Sequence, residues 1–320
     1  MRILLLLAVI SAITFTASTW ASESATAILR RAIVFQRRYE DCEFGYFTEI
    51  ASQQVSESDV DRFTGGFSGY ESWQGNQRFL LASNEPLRKK EVTGKLRSQS
   101  ILDLKSYDKV TLSNEKYQAR VAREENGAYS KRGESVLGKF EVKAQYSMRY
   151  LFAPDYAEWI AQPEKLKTDN DAEFHKRKCR SVSIELQIPE DNPPSWERRT
   201  TYFDPATGKC LGHRIVYSDT EGFESPAATE EYVIEFGKDD FPSKITRDRT
   251  GKYQFQQLYE FTGFKLGKQP NERFFLSYYG IDEPFGSKTP VSFGTWMIII
   301  GVGIFAIASL SKWIQSRNAK

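Results

Sequence analysis

Cys179-Arg-Ser-Val-Ser-Ile-Glu-Leu-Gln-Ile188 alternates apolar and polar side chains, with the apolar residues at every second position from Val182 onward. Trp196–Phe203 follows as a second strand-like stretch. Asp204-Pro-Ala-Thr-Gly208 then supplies the residues of a tight turn before a third such stretch, Leu211–Ser218. Because a period of two places the apolar side chains on one face of a strand, this region predicts an antiparallel sheet.

Segments of the same kind continue along the chain in both directions. Turn residues separate them at intervals of roughly 8–12 positions, which is typical of a meander. The later strands are predicted at 228–236, 243–249, 253–266 and 273–279, and the earlier ones at 44–50, 78–83, 116–122 and 139–146. Gly65–Tyr70 is interpreted as turn material, and the charged stretch 165–178 as a surface loop.

Two segments have helical rather than strand periodicity. Residues 22–38 place Ile28, Leu29 and Ala32 on one apolar stripe beside a basic face, and residues 150–160 form the second candidate. Pro154 removes a backbone donor, so a break near Ala153 is expected in the second helix. The predicted fold class is α+β, mostly antiparallel β.

The first residues have the pattern of a cleavable signal peptide. Arg2 precedes the mostly apolar stretch Ile3–Phe15, and small residues follow it. We expect a signal peptide over 1–21, with cleavage after Ala27 as the alternative.

The other end of the chain predicts one transmembrane helix. No charged residue occurs from Thr289 to Ser311, and about 20 apolar residues are needed to span a bilayer. The tail after the helix carries three cations and no acid, which favours the cytoplasmic side. The expected order is an exported domain over 22–284, a linker over 285–290, the helix over 291–311 and a cytoplasmic tail over 312–320. We therefore expect a single-pass membrane protein whose main domain is periplasmic.

Charge excludes one broad class of partner. The whole chain has 44 basic and 42 acidic residues, but four of the basic ones lie in the terminal segments, and none of the acidic ones does. The middle of the chain is thus slightly acidic, and a nucleic-acid partner is not expected.

The motifs of the second half resemble those of a known superfamily. Tyr202-Phe203-Asp204-Pro-Ala-Thr-Gly208, the strand that contains His213, and the Phe241-Pro242 pair are similar to segments of the LolA/LolB/LppX superfamily. Phe274–Pro284 is similar to the closing strand of planctomycete-type membrane-anchored exported relatives of unknown function. The resemblance implies a curved half-barrel sheet with a helical lid over an apolar cavity.

Aromatic and cysteine residues are the candidate site residues. The aromatics either fill a core or line a cavity; the eight candidates for the lining are Phe44, Tyr46, Phe79, Trp159, Trp196, Phe236, Phe255 and Phe261. Cys179 and Cys210 each open a strand, and an exported compartment permits a disulfide between them. Strands two apart lie roughly 9.5 Å from each other, so the bridge requires their ends to converge.

No catalytic or cofactor motif occurs in the sequence. The two histidines, His175 and His213, have no convergent ligands nearby in sequence, and no nucleophile elbow, phosphate loop or dinucleotide fingerprint occurs. We therefore expect neither an enzyme nor a protein with a cofactor or metal. The first hypothesis is a membrane-tethered module that binds lipid or lipoprotein acyl chains. The alternative is an envelope sensor or scaffold that contacts another envelope protein.

Overall fold

A computed structural model describes residues 23–54, 66–75, 77–84, 104–136, 147–188, 195–237, 239–251 and 253–284. The predicted signal peptide, the transmembrane helix over 291–311 with its linker and tail, and the strand over 139–146 lie outside these residues. No helix within the described ranges is both long and apolar enough to span a membrane.

The described residues form one antiparallel sheet of thirteen strands. In chain order the strands are β1 Asp41–Gln54, β2 Phe67–Gln74, β3 Arg78–Ser83, β4 Lys109–Ser113, β5 Tyr117–Arg123, β6 Tyr129–Val136, β7 Leu166–Phe174, β8 Arg177–Ile188, β9 Ser195–Phe203, β10 Cys210–Ser218, β11 Pro226–Phe236, β12 Pro242–Gly251 and β13 Gln254–Leu266. The sheet therefore confirms the predicted class of mostly antiparallel β-structure.

The strand order contains one long-range pairing. Neighbours run β6-β5-β4-β3-β2-β1-β13-β12-β11-β10-β9-β8-β7, so every pair except β1 with β13 is consecutive in the chain. Tyr46 lies opposite Phe261 at this pairing. The two edges of the sheet, β6 and β7, are consecutive in sequence and do not pair with each other in the described residues, so the sheet stays open.

Helices cover one face of the sheet. They are α1 Ala25–Gln36 and two single turns, α2 Arg149–Phe152 and α3 Ala157–Ile160. These match the predicted helices, including the break after Phe152, and Ser24 caps α1 by accepting a hydrogen bond from the Ala27 amide. The face beneath them is called the helix-covered face. It carries the main core, which includes Leu29, Phe44, Phe152, Phe203, Cys210, Ile234, Ile245 and Phe261.

The opposite, outer face carries two smaller cores. Strand neighbours point to opposite faces, so Tyr202 lies on the outer face while Phe203 lies on the helix-covered face. One outer core combines Phe174, Cys179, Tyr202 and Leu211. The other joins β2–β5 to the residues after β13, with Leu80, Leu112, Tyr117, Phe274, Leu276 and Tyr279 buried together.

The predicted strand over 273–279 is wrong. Asn271–Phe274 and Leu276–Tyr279 are short 3₁₀ helices that lie on the outer face of β2–β5. Asn114 Nδ2 donates to the Phe274 carbonyl at 2.9 Å, and Tyr117 Oη accepts from the Leu276 amide at 2.9 Å. The segment is rich in aromatic residues, as strands often are, but side chains of β5 and of the turn before it bond its backbone groups in place of a strand ladder.

Two further expectations fail for different reasons. The stretch 165–178 is the β7–β8 hairpin and not a surface loop, and its charged residues fit an edge strand that faces water. Of the stretch 65–70, which was interpreted as turn material, Phe67–Tyr70 form the first half of β2. Gly69 faces Tyr46 across the pair, and a Cβ at Gly69 would lie only 2.0 Å from that ring, so the glycine serves close packing within a strand.

Candidate functional site

The helix-covered face is the most aromatic surface in the described structure. Phe44 on β1 is at its centre and is fully buried. Its ring centre lies 5.5 Å from that of Phe152 on α2, 5.8 Å from Phe261 and 4.9 Å from Phe264, both on β13. Phe241 stacks on the far side of Phe264 at 5.0 Å. Edge-to-face and offset contacts at these distances stabilise a ring cluster beyond the area that it buries.

The segment 147–162, which contains α2 and α3, closes this cluster from above. Its large buried side chains are Phe152, Tyr156 and Trp159. The Tyr156 ring lies 5.6 Å from both Trp159 and Phe203. Because only eight residues of the segment are helical, its position depends on contacts with the sheet and not on its own helix stability.

Glu71 on β2 fixes the start of that segment. Its buried carboxylate accepts from the Ser147 hydroxyl at 2.7 Å and from the Met148 amide at 2.6 Å. Trp73 Nε1 donates to the same carboxylate at 3.1 Å, and the Arg149 guanidinium lies 4.6 Å from the Trp73 ring centre. Desolvation raises the pKa of Glu71, and these hydrogen bonds partly oppose that shift.

His213 on β10 holds the middle of the segment. Its Nε2 lies 2.9 Å from the Leu151 carbonyl, and Nδ1 lies 3.1 Å from Thr201 Oγ1. A carbonyl can only accept, so Nε2 carries the proton and Nδ1 accepts from the threonine. Burial of the ring lowers the pKa of His213 to about 4, which keeps it neutral near pH 7.

The predicted aromatic residues occupy three kinds of position. Five of them, Phe44, Tyr46, Phe79, Trp159 and Phe261, belong to the main core. Phe236 is half-buried and packs against that core. Phe255 is buried beside Arg247, and Trp196 is half-buried at the start of β9, opposite Gln187 and Ser218. The structure thus brings six of the eight together.

The Cys179–Cys210 disulfide is absent, and this candidate pairing is corrected. All three cysteines are free and buried. Cys179 belongs to an outer core and Cys210 to the main core, so the sheet itself separates the two thiols. Burial raises the pKa of Cys210 to about 12 and that of Cys179 to about 11, which keeps both thiols protonated near pH 7.

Sequence reasoning missed the residues that fasten the 147–162 segment. Glu71 directly follows the stretch 65–70, which was interpreted as turn material, and an isolated acid in a strand usually faces water. His213 is half-buried on β10. Its contact with Leu151 joins distant parts of the chain, so no local pattern could reveal it. Among the described residues, no group of three or more His, Cys, Asp or Glu could hold a metal ion.

Comparison with known proteins gives matches in structure only. No protein-family model matches the sequence, and a search of curated proteins finds no relative. The structure is similar to a LolA superfamily protein from Nitrosomonas europaea, with 10% identity, a TM-score of 0.44, and coverage of 80% of this chain and 100% of the other. A DUF1329 family protein from Desulfovibrio piger is similar with 10% identity, a TM-score of 0.43, and coverage of 81% and 100%. Neither match carries a residue role to this chain.

Proposed function

We propose that the chain is an exported, membrane-tethered binding module that holds the apolar chain of a lipid or lipoprotein on the helix-covered face. The sheet acts as a curved half-barrel, and the 147–162 segment acts as its lid. The observation that carries the proposal is the lid's construction. A short segment with only two helical turns covers the largest aromatic cluster, and polar contacts at Glu71 and His213 hold it.

The free energy of burying an acyl chain is comparable to that of burying the lid's aromatic side chains, so a ligand can replace the lid. Burial of an aromatic side chain stabilises by about 2–3 kcal/mol, so Phe152, Tyr156 and Trp159 together represent roughly 6–9 kcal/mol. An acyl chain with ten buried methylenes represents roughly 8 kcal/mol. The two are of the same order, so a chain can take the place of the rings when the lid moves away.

A photoactivatable palmitic acid tests this proposal in membranes that contain the full chain. The analogue carries a mid-chain diazirine for crosslinking and a terminal alkyne for detection. We expect it to label the protein on β1, β13 or the lid, and excess palmitate to suppress the labelling. Phe152→Ala removes the lid ring that competes for the site, so labelling of this variant should rise about threefold or more.

Phe274→Ala is the matched control. Phe274 is an equally buried ring, but it lies in the outer core, so its loss creates a comparable cavity away from the lid. Labelling that rises equally in both variants would mean that the probe enters any cavity. Absence of labelling, with a stoichiometric envelope protein co-purifying, would favour the alternative of a sensor or scaffold.

A further inference from the structure

A charged cluster lies on the helix-covered face beside the aromatic one. It is formed by Glu230 on β11 with Arg247 and Arg249 on β12. Glu230 lies directly opposite Arg249 in the strand register, and its residue is only 2% exposed. Tyr232, opposite Arg247, belongs to the aromatic core as well, so the two clusters are continuous.

The hydrogen bonds in this cluster leave one positive charge in excess. Glu230 Oε1 accepts from Arg247 Nη2 at 2.8 Å and from Arg249 Nη1 at 2.7 Å. Its other oxygen accepts from the Tyr232 hydroxyl at 2.8 Å. Two guanidinium groups therefore share a single carboxylate.

The same two arginines keep donors without an acceptor. Arg247 and Arg249 both have a buried Nε with no hydrogen-bond partner. A guanidinium presents five N–H donors in a fixed fork, and buried donors without a partner are rare and costly. Arg247 and Arg249 are neighbours on one face of β12, so two such donors lie side by side. Their presence indicates that the cluster lacks an acceptor.

The neighbouring groups do not supply that acceptor. Glu197, a buried carboxylate of β9, is bonded by Arg199, with Arg199 Nη2 at 3.1 Å. Gln257 accepts from Arg247 Nη1 at 3.3 Å and from the Tyr259 hydroxyl at 2.8 Å, so its oxygen is already engaged.

Aromatic rings hold the two guanidinium groups in place. Arg247 lies 5.0 Å from the Phe255 ring centre, and Arg249 lies 5.9 Å from that of Tyr217. The side chains of Arg247 and Arg249 are 22% and 30% exposed, so a ligand can reach them from solvent. Fixed guanidinium forks suit the planar oxygens of a carboxylate or the oxygens of a phosphate.

We infer that Arg247 and Arg249 bind the oxyanion head group of an amphiphile whose apolar chain lies on the adjacent aromatic cluster. The inference rests on the proposed function and adds a ligand class to it: an anionic amphiphile, with Glu230 positioning both arginines. The head group adds oxygen acceptors for the two guanidinium groups, which share a single carboxylate within the cluster.

The experiment compares two probes on the full chain in membranes. One is the diazirine palmitic acid described above, and the other is the corresponding fatty alcohol, which has the same chain without the charge. We expect Arg249→Gln or Arg247→Gln to lower the ratio of acid to alcohol labelling about tenfold, as loss of a charge-assisted hydrogen bond does. Glu230→Gln keeps a side-chain oxygen that can still position both arginines but removes the competing negative charge, so it should raise the ratio. Arg214→Gln is the control, because Arg214 is an exposed arginine bonded to Glu231 on the outer face, and it should leave the ratio unchanged.

The outcomes separate this inference from the function on which it rests. If neither probe labels the protein, the proposed function fails. If both label equally and the arginine variants leave the ratio unchanged, the chain binds and the head-group site is refuted. A fall of the ratio in Glu230→Gln as well would mean that the cluster is only structural. Displacement of the acid probe by millimolar inorganic phosphate would identify a free anion as the occupant and overturn the inference.

Discussion

Gly212 shows how little room single residues of the sheet have. A Cβ at this position would lie 2.2 Å from the Tyr232 carbonyl oxygen and 2.5 Å from the Phe174 ring. The first contact is with backbone of the neighbouring strand, so a side chain can fit only if β10 and β11 move apart. We expect Gly212→Ala to lower the free energy of unfolding by about 1–3 kcal/mol or more, measured by urea denaturation.

Gly133 on β6 provides the matched control for that substitution. No atom lies within 4 Å of a Cβ built there, so Gly133→Ala should change the free energy of unfolding by no more than about 0.5 kcal/mol, or should stabilise slightly. Equal effects of the two substitutions would contradict the close approach of β10 and β11.

The 147–162 segment is the element whose attachment depends on pH. His213 has a pKa of about 4 in the folded protein, because burial disfavours its charged form, against about 6.5 in an unfolded chain. Between these values the unfolded state binds more protons, so this contribution to stability is complete above about pH 6.5 and is lost as the pH falls toward 4. The loss amounts to at most about 3 kcal/mol.

Comparison of the wild type with the His213→Gln variant separates the pH-dependent contribution of His213 to stability from that of Glu71. The raised pKa of Glu71 acts in the opposite direction, because the folded state takes up that proton first as the pH falls. Gln keeps an amide donor for the Leu151 carbonyl but does not titrate. We expect the stability advantage of the wild type over the variant to shrink between about pH 7 and pH 4.5 in urea denaturation. An advantage that is constant across this range would refute the role of His213.

Elements with a strong local pattern could be predicted from the sequence. The alternation of 179–188 and the helical stripe of 22–38 recur in the structure as β8 and α1, because each has a periodic apolar face. The strand at 78–83 recurs as β3, whose short apolar run is buried on both faces of the sheet. The break between α2 and α3 follows from Pro154, which cannot continue a helix.

Elements that depend on distant partners could not be predicted in this way. The residues 273–279 have the aromatic composition of a strand, yet they form 3₁₀ helices that pack on the apolar outer face of β2–β5. The edge strand β7 lacks an apolar pattern because water reaches most of its side chains. For the site, the aromatic residues were recognisable by type. The pairing of Glu71 with Ser147 and of Glu230 with two arginines requires the folded sheet.

The whole molecule offers a test of the expected membrane topology. We expect external protease to remove the domain from spheroplasts that carry the full chain with an epitope after Lys320, because that domain faces outward. The epitope should survive in a short fragment that resists carbonate extraction, since the predicted helix over 291–311 would hold it in the bilayer. An epitope lost to external protease, or a chain released by carbonate, would contradict the proposed tether.

The pairing of β1 with β13 also sets the order in which the sheet can be completed. Tyr46 and Phe261 are neighbours across strands but roughly 200 residues apart in sequence, a separation typical of slow folding. This pairing cannot form before the ribosome has synthesised the last strand, and until then β1 has one unpaired edge that can template aggregation. Shielding of that edge in the nascent chain, by a chaperone or by rapid translocation, would lower this risk. For an exported chain, the final ladder closes only after the whole domain has crossed the membrane.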